Sequence, residues 1–188
     1  MPDSLQPDPP PENIVLIGFM GSGKSTVGRI VARKLRFRFL DTDKFVEERA
    51  RMSIPEIFKR HEEAYFRERE TAVLESLLGV RHHVFATGGG VVTQPGNIPI
   101  LRQLGLVVLL KADPEVIYRR VSRNTQRPLL QAGNPRERVL EMMAVRQPLY
   151  ERAAQFQVDS TALRHEQVTA LVIDEARRVF GWPEPAKA

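Results

Sequence analysis

Residues Gly18-Phe19-Met20-Gly21-Ser22-Gly23-Lys24-Ser25 fit the pattern G-x-x-x-x-G-K-[ST], with Thr26 directly after them. Glycines at these spacings let backbone N–H groups turn inward as a nest around phosphate oxygens. Gly21, Ser22, Gly23 and Thr26 would then line the phosphates of ATP, Lys24 would reach the β- and γ-phosphates, and the Ser25 hydroxyl would ligate Mg2+. A helix opening at this point adds the positive end of its dipole. Such a loop fixes the phosphate donor and leaves the acceptor open, since nucleotide-regulated switches and motor modules use it as well as kinases.

Four further groups of residues bear on the acceptor. Asp41-Thr42-Asp43 offers two carboxylates, one suited to hold a magnesium-bound water and the other to accept a proton from an attacking hydroxyl. The same spacing also suits an Asx turn with Asp43 as a helix N-cap. Phe66-Arg67-Glu68-Arg69-Glu70, taken alone, reads as a solvated helix face with i,i+3 ion pairs. Gly88-Gly89-Gly90 lacks side chains to pack, which points to a close backbone approach to a ligand. Arg119, Arg120, Arg123 and Arg127 crowd one region, and Arg146 stands in Arg146-Gln147-Pro148-Leu149-Tyr150. Arginine clusters recognise phosphate or carboxylate through forked hydrogen bonds. A generic basic surface or a nucleic-acid patch is the alternative, and no aromatic interleaving supports the latter.

These residues need elements to hold them. Asn13–Gly18 and Leu106–Leu110 are continuous apolar runs, the pattern of strands buried on both faces. Shorter strands are expected at Phe37–Leu40, His83–Ala86 and Phe156–Asp159. Helical periodicity covers Lys24–Leu35, Lys44–Met52, Glu62–Leu78 (closed by Gly79), Pro99–Leu104, Pro114–Val121, Asn134 to about Arg152, and Glu166–Phe180. Ser53 with Glu56 forms a capping-box start for a further helix. Strands alternating with helices imply an α/β fold with a parallel sheet and helices on both faces. Ligands on such sheets bind at the carboxyl ends of the strands, and every motif above lies just after one.

The chain has 188 residues, 42% hydrophobic and 27% charged, which suits one globular domain and excludes a disordered or fibrous protein. There is no cysteine, so disulfide scaffolds, thiolate zinc, iron–sulfur clusters and cysteine nucleophiles are excluded, in keeping with a reducing cytoplasm. No apolar run approaches the roughly 20 residues that span a bilayer, so no membrane association is expected. The net charge of +5 favours phosphorylated partners or is simply a solubility device. Residues 1–12 read as a Pro-rich disordered tail without signal- or transit-peptide character, 13–180 as the domain, and 181–188 as a frayed end. A monomer is the expectation.

Taken together the motifs resemble the shikimate kinase family, over roughly Asn13 to Phe180. The resemblance rests on G-x-x-G-S-G-K-S-T at Gly18–Thr26, D-T-D at Asp41–Asp43, F-R-x-x-E at Phe66–Glu70, G-G-G at Gly88–Gly90, R-P-L-L at Arg127–Leu130 and R-x-P-L-Y at Arg146–Tyr150. It implies ATP-dependent phosphorylation of the 3-hydroxyl of shikimate on a nucleoside monophosphate kinase-like fold, three-layered, with strand order 2-3-1-4-5. It also implies a substrate-binding region near 41–70 and a lid near 122–135. Asp43 would hold the attacking hydroxyl, and Asp41 would support Mg2+ through water. Arg67 and Arg146 would grip the shikimate carboxylate beside the Gly88–Gly90 backbone, with Glu70 orienting Arg67. Arg127 would swing toward the γ-phosphate and Arg120 would pack on adenine. The family often has proline where this chain has His165, so in Ser160–His165 only Arg164 is offered as an adenine contact. A related small-metabolite P-loop kinase, such as gluconate kinase, stays open as an alternative, as does a non-catalytic nucleotide-regulated module.

Overall fold

The structure is a computed structural model, and it describes residues 12–122 and 134–183. Its elements run β1 (Ile14–Ile17), α1 (Lys24–Leu35), β2 (Arg38–Asp41), α2 (Thr42–Ala50), α3 (Ile54–Arg60), α4 (Glu63–Ser76), β3 (His83–Ala86) and a 3-10 turn (Val91–Thr93). They continue with α5 (Asn97–Leu104), β4 (Leu106–Lys111), α6 (Pro114–Ser122), α7 (Pro135–Ala153), β5 (Phe156–Asp159) and α8 (His165–Phe180).

The strands form one parallel sheet in the order β2-β3-β1-β4-β5, the order the resemblance implied. Central β1 is buried on both faces because its side chains alternate between two cores. Val15 and Ile17 pack with Phe85, Val107 and Leu109 among residues of α4, α5, α6 and α7. Ile14 and Leu16 pack with Val84 and Val108 against Val27, Val31, Val168 and Val172 of α1 and α8. Each face of the sheet is thus closed by helices, and the loops at the carboxyl ends of the strands share one rim.

Several boundaries differ from the sequence reading. Helix α2 opens at Thr42, not Lys44, so Asp43 lies in its first turn and is not its N-cap. Asp41 takes the cap position and makes no cap hydrogen bond with its side chain. Neither the 3-10 turn nor the start of α5 at Asn97 was anticipated. The capping box of α3 is present, with Ser53 N–H donating to Glu56 Oε2 at 2.9 Å.

Both ends of the domain extend further than expected. Glu12 pairs with His82 at 3.1 Å. Trp182 is no part of a frayed end: its ring lies 5.5 Å from Phe37 and 5.0 Å from Phe180, edge-on or tilted. Three aromatic rings with apolar surface to cover outweigh the end effect of the flanking glycine and proline. Residues 1–11 and 184–188, and nearly all of the expected lid, fall outside the described residues. Among the described residues no helix is long and apolar enough to cross a membrane.

Candidate active site

The carboxyl ends of β1, β2 and β3 surround a cavity of about 450 Å3, lined by Gly21, Gly23 to Thr26, Asp41, Asp43, Thr87, Gly89, Arg120 and His165. It runs from the glycine loop after β1 to the carboxylates that follow β2.

Gly23 is the N-cap of α1 with φ of 95°, and Gly21 has φ of 79°. Only glycine adopts these angles without strain, and they turn the loop so that α1 opens onto the cavity. Lys24 is nearly buried, and its Nζ donates to the Gly18 and Phe19 carbonyls at 2.7 and 2.9 Å. This holds the ammonium group across the loop. Ser22 behaves differently from its neighbours. Its side chain is buried under the loop, its N–H donates to Phe19 O at 3.2 Å, and it does not line the cavity. Arg120 Nη1 donates to Gly21 O at 3.3 Å while Arg119 is exposed, so of the two it is Arg120 that reaches the loop.

Ser25 Oγ donates to Asp41 Oδ2 at 2.9 Å. A hydroxyl and a carboxylate oxygen side by side at the mouth of a phosphate loop are hard oxygen donors, the set that suits Mg2+. Asp43 lies one residue into α2, with Oδ1 shielded from solvent and without a hydrogen-bond partner among the described residues. Its pKa is raised from 3.8 to about 6, first by burial and then by the Asp41 charge, against the opposing pull of Lys24 and Arg67. A carboxylate so poised is a proton acceptor at neutral pH.

The helix α4 supplies the next group. Arg67 and Glu70 are buried while Glu68 and Arg69 are exposed, so the reading of this stretch as a solvated face does not hold. Arg67 Nη1 donates to Glu70 Oε2 at 2.8 Å, and its Nε and Nη2 donate to Glu63 Oε1 at 3.1 and 2.9 Å. Burial works against the Arg67 charge, but Glu70 and then Glu63 outweigh it and hold the guanidinium above its ordinary pKa. Burial likewise raises Glu70, with Arg67 opposing.

Each of the three glycines makes room for a different neighbour. A Cβ on Gly88 would stand 2.5 Å from Asp43 Oδ1 and 2.7 Å from Glu70 Oε1, and a Cβ on Gly90 would overlap the Arg67 guanidinium. Gly89 lies against the phosphate loop, 3.2 Å from Met20 N by the same measure. Its carbonyl accepts from Arg146 Nη1 at 3.2 Å and from the Tyr150 hydroxyl. Arg146 and Tyr150 are one turn apart on α7, which places both on the face toward the sheet. Burial pushes the Tyr150 hydroxyl up to about 12, so it stays protonated and donates.

Of the residues singled out from sequence, the cavity rim therefore gathers Gly21, Gly23, Lys24, Ser25, Thr26, Asp41, Asp43, Gly89 and Arg120. Arg67, Glu70, Gly88, Gly90 and Arg146 form the layer packed beside Asp43 and Gly89. Arg164 is exposed at the N-cap of α8 and does not line the cavity. Its neighbour His165 does, because α8 begins there and turns that side chain toward Gly23, 3.5 Å from where a Cβ would stand. Arg127 lies outside the described residues. Glu63 was not singled out from sequence, and Tyr150 and His165 were named there without a role in the site. The i,i+4 spacing of Glu63 to Arg67 was a readable signal, whereas the other two contacts are made across the fold.

The family model described as shikimate kinase matches residues 20–177. A shikimate kinase from Caldanaerobacter subterraneus subsp. tengcongensis is 49% identical over 162 residues, covering 86% of this chain and 94% of the relative. The structure of shikimate kinase from Acinetobacter baumannii in complex with shikimate superposes with a TM-score of 0.83 at 38% identity, covering 87% of this chain and 91% of that one. A gluconokinase from Sinorhizobium meliloti 1021 shares the fold alone, with a TM-score of 0.57 at 16% identity, 92% of this chain and 94% of that one being covered.

Proposed function

The chain belongs to the shikimate kinase family, and on that footing we propose that it transfers the γ-phosphoryl group of ATP to the 3-hydroxyl of shikimate, giving shikimate 3-phosphate and ADP. The observation that carries this reading is one continuous cavity with a phosphate loop at one end and Asp43 at the other. At the acceptor end stand two arginines suited to a carboxylate, Arg67 near Asp43 and Arg146 on the Gly89 carbonyl.

Phosphoryl transfer asks the protein mainly for positioning and charge neutralisation. Lys24 and the backbone of Gly21 to Thr26 hold the triphosphate, with Arg120 against the adenine. Asp43 accepts the proton as the 3-hydroxyl oxygen bonds to the γ-phosphorus and the bond to the bridging oxygen of ADP breaks. Arg67 and Arg146 grip the acceptor's carboxylate, Arg67 being oriented by Glu70. Arg127, by the family resemblance, would meet the charge growing on the phosphoryl group. Ser25 and Asp41, the latter through water, would hold Mg2+, which would supply charge neutralisation at the phosphates.

An ADP-release assay with shikimate, with gluconate and without acceptor tests this directly. Turnover with shikimate alone is expected. Turnover with gluconate, or ADP release that ignores the acceptor, overturns the assignment.

A further inference from the structure

The arginine and carboxylate of the acceptor end sit on α4, and the glycine segment that receives them follows β3. Something must fix the spacing between these two elements, because Arg67 and Glu70 pack directly on Gly90 and Gly88. Apolar packing of Phe66, Val73 and Leu74 with Val91 and Val92 joins the two elements but carries no directional bond.

A second, neutral link runs beneath them. Thr71, adjacent to Glu70 on α4, donates its hydroxyl to Asn97 Oδ1 at 2.8 Å. Asn97 is fully buried, and its Nδ2 donates to Val91 O at 2.9 Å. The Val91 N–H in turn donates to Gly88 O at 3.3 Å. Asn97 is further tied by its own N–H to Gln94 O at 3.0 Å. Hence the chain Thr71–Asn97–Val91–Gly88 starts one residue past Glu70 and returns to the glycine that faces Glu70 and Asp43. A buried amide with both ends satisfied in this way has one low-energy orientation, since any rotation strands a polar atom.

We propose that Asn97 is a positioning residue of the phosphoryl-transfer site, holding α4 at a fixed distance from the Gly88–Gly90 segment and thereby setting acceptor affinity. It acts through Arg67 and Glu70 and touches neither substrate. This role rests on the reading of that site as the one that binds shikimate.

The test separates positioning from simple stability. Thr71→Val keeps the shape and removes the donor, Thr71→Ser restores a hydroxyl, and Asn97→Ala removes the bridge. For each variant KM is measured separately for shikimate and for ATP, together with the thermal midpoint. Thr71→Val is expected to raise the shikimate KM by about three- to tenfold, the scale of one lost neutral hydrogen bond, with the ATP KM within about twofold. Thr71→Ser should recover wild-type KM. The double variant Thr71→Val/Asn97→Ala should be no worse than Asn97→Ala alone, as expected of two members of one chain. A fall in thermal midpoint with unchanged shikimate KM shows a structural bond only and overturns the proposal. Both KM values rising together, or additive effects in the double variant, overturn it too. Wild-type turnover with shikimate in the same assay checks the underlying site reading independently. Should Asn97→Ala fail to fold, the Thr71 pair still decides.

Discussion

Asp43→Asn should make this protein less active and more stable at the same time. The carboxyl is held in a site that disfavours its charge, its pKa standing at about 6 against an ordinary 3.8. Each tenfold change in proton affinity is worth about 1.36 kcal/mol, so carrying the charge at neutral pH costs the folded state about 3 kcal/mol. The sign follows from linkage. The folded protein binds this proton more tightly than the unfolded chain does, so the contribution to stability is fully present below pH 3.8. It is lost as pH rises through about 6. Asparagine keeps the shape and removes the charge. Its thermal midpoint should match wild type near pH 4 and exceed it by roughly 6–12 °C above pH 7, taking about 2–4 °C per kcal/mol for a chain of this size.

Activity should move the other way. Without a proton acceptor, kcat falls by about 10²–10⁴, and the rise of wild-type kcat/KM through about pH 6 disappears. Thermal unfolding of the nucleotide-free protein between pH 4 and 8, followed by circular dichroism, gives the first quantity, and coupled ADP release gives the second. A variant no more stable than wild type at pH 7.5, or a difference that does not change with pH, refutes the argument from burial. Near-normal turnover refutes the role of Asp43 as base.

Three other outcomes are expected. Lys24→Ala should fold but lose the protection that ATP gives against thermal unfolding, because Lys24 spans the loop and not the core; undiminished protection counts against the phosphate loop. Gly90→Ala should displace the Arg67 guanidinium, the end of a long side chain, so the fold survives. Its shikimate KM rises about tenfold or more while nucleotide affinity measured by calorimetry stays level, and an unchanged KM would show that Arg67 does not meet the acceptor. Arg146→Ala should raise shikimate KM by roughly ten- to a hundredfold and be rescued by more shikimate, whereas Arg127→Ala should lose about 10³–10⁵ in kcat without rescue. Steady-state kinetics at saturating ATP distinguishes the two patterns, and their exchange would reverse the assigned roles.

Much of the scaffold could be read in one dimension, for physical reasons that particular elements display. The apolar runs of β1 and β4 can only be strands with both faces covered, and His83–Ala86 and Phe156–Asp159 appear with their expected limits. Helix α1 runs from Lys24 to Leu35 as its periodicity requires. What could not be read is where tertiary contacts override local pattern. The early start of α5 at Asn97 is stabilised by a bond from Thr71, 26 residues away. Trp182 is ordered by Phe37, far away in sequence. No local rule contains these partners.

The candidate site shows the same division at finer scale. Three glycines in a row announce that something approaches the backbone closely, and a ligand is the natural inference. In the folded chain much of that space is taken by the protein's own charged groups: Asp43 and Glu70 against Gly88, Arg67 against Gly90. Crowding two carboxylates onto one Cα shields Asp43 Oδ1 and Glu70 Oε1 from water and leaves both without a hydrogen-bond partner among the described residues. It is this shielding that raises both acids. The glycine segment therefore acts on the chemistry through electrostatics. By covering Asp43 with backbone that carries no side chain, it keeps the acid dry enough to hold its proton more tightly than an exposed carboxyl does.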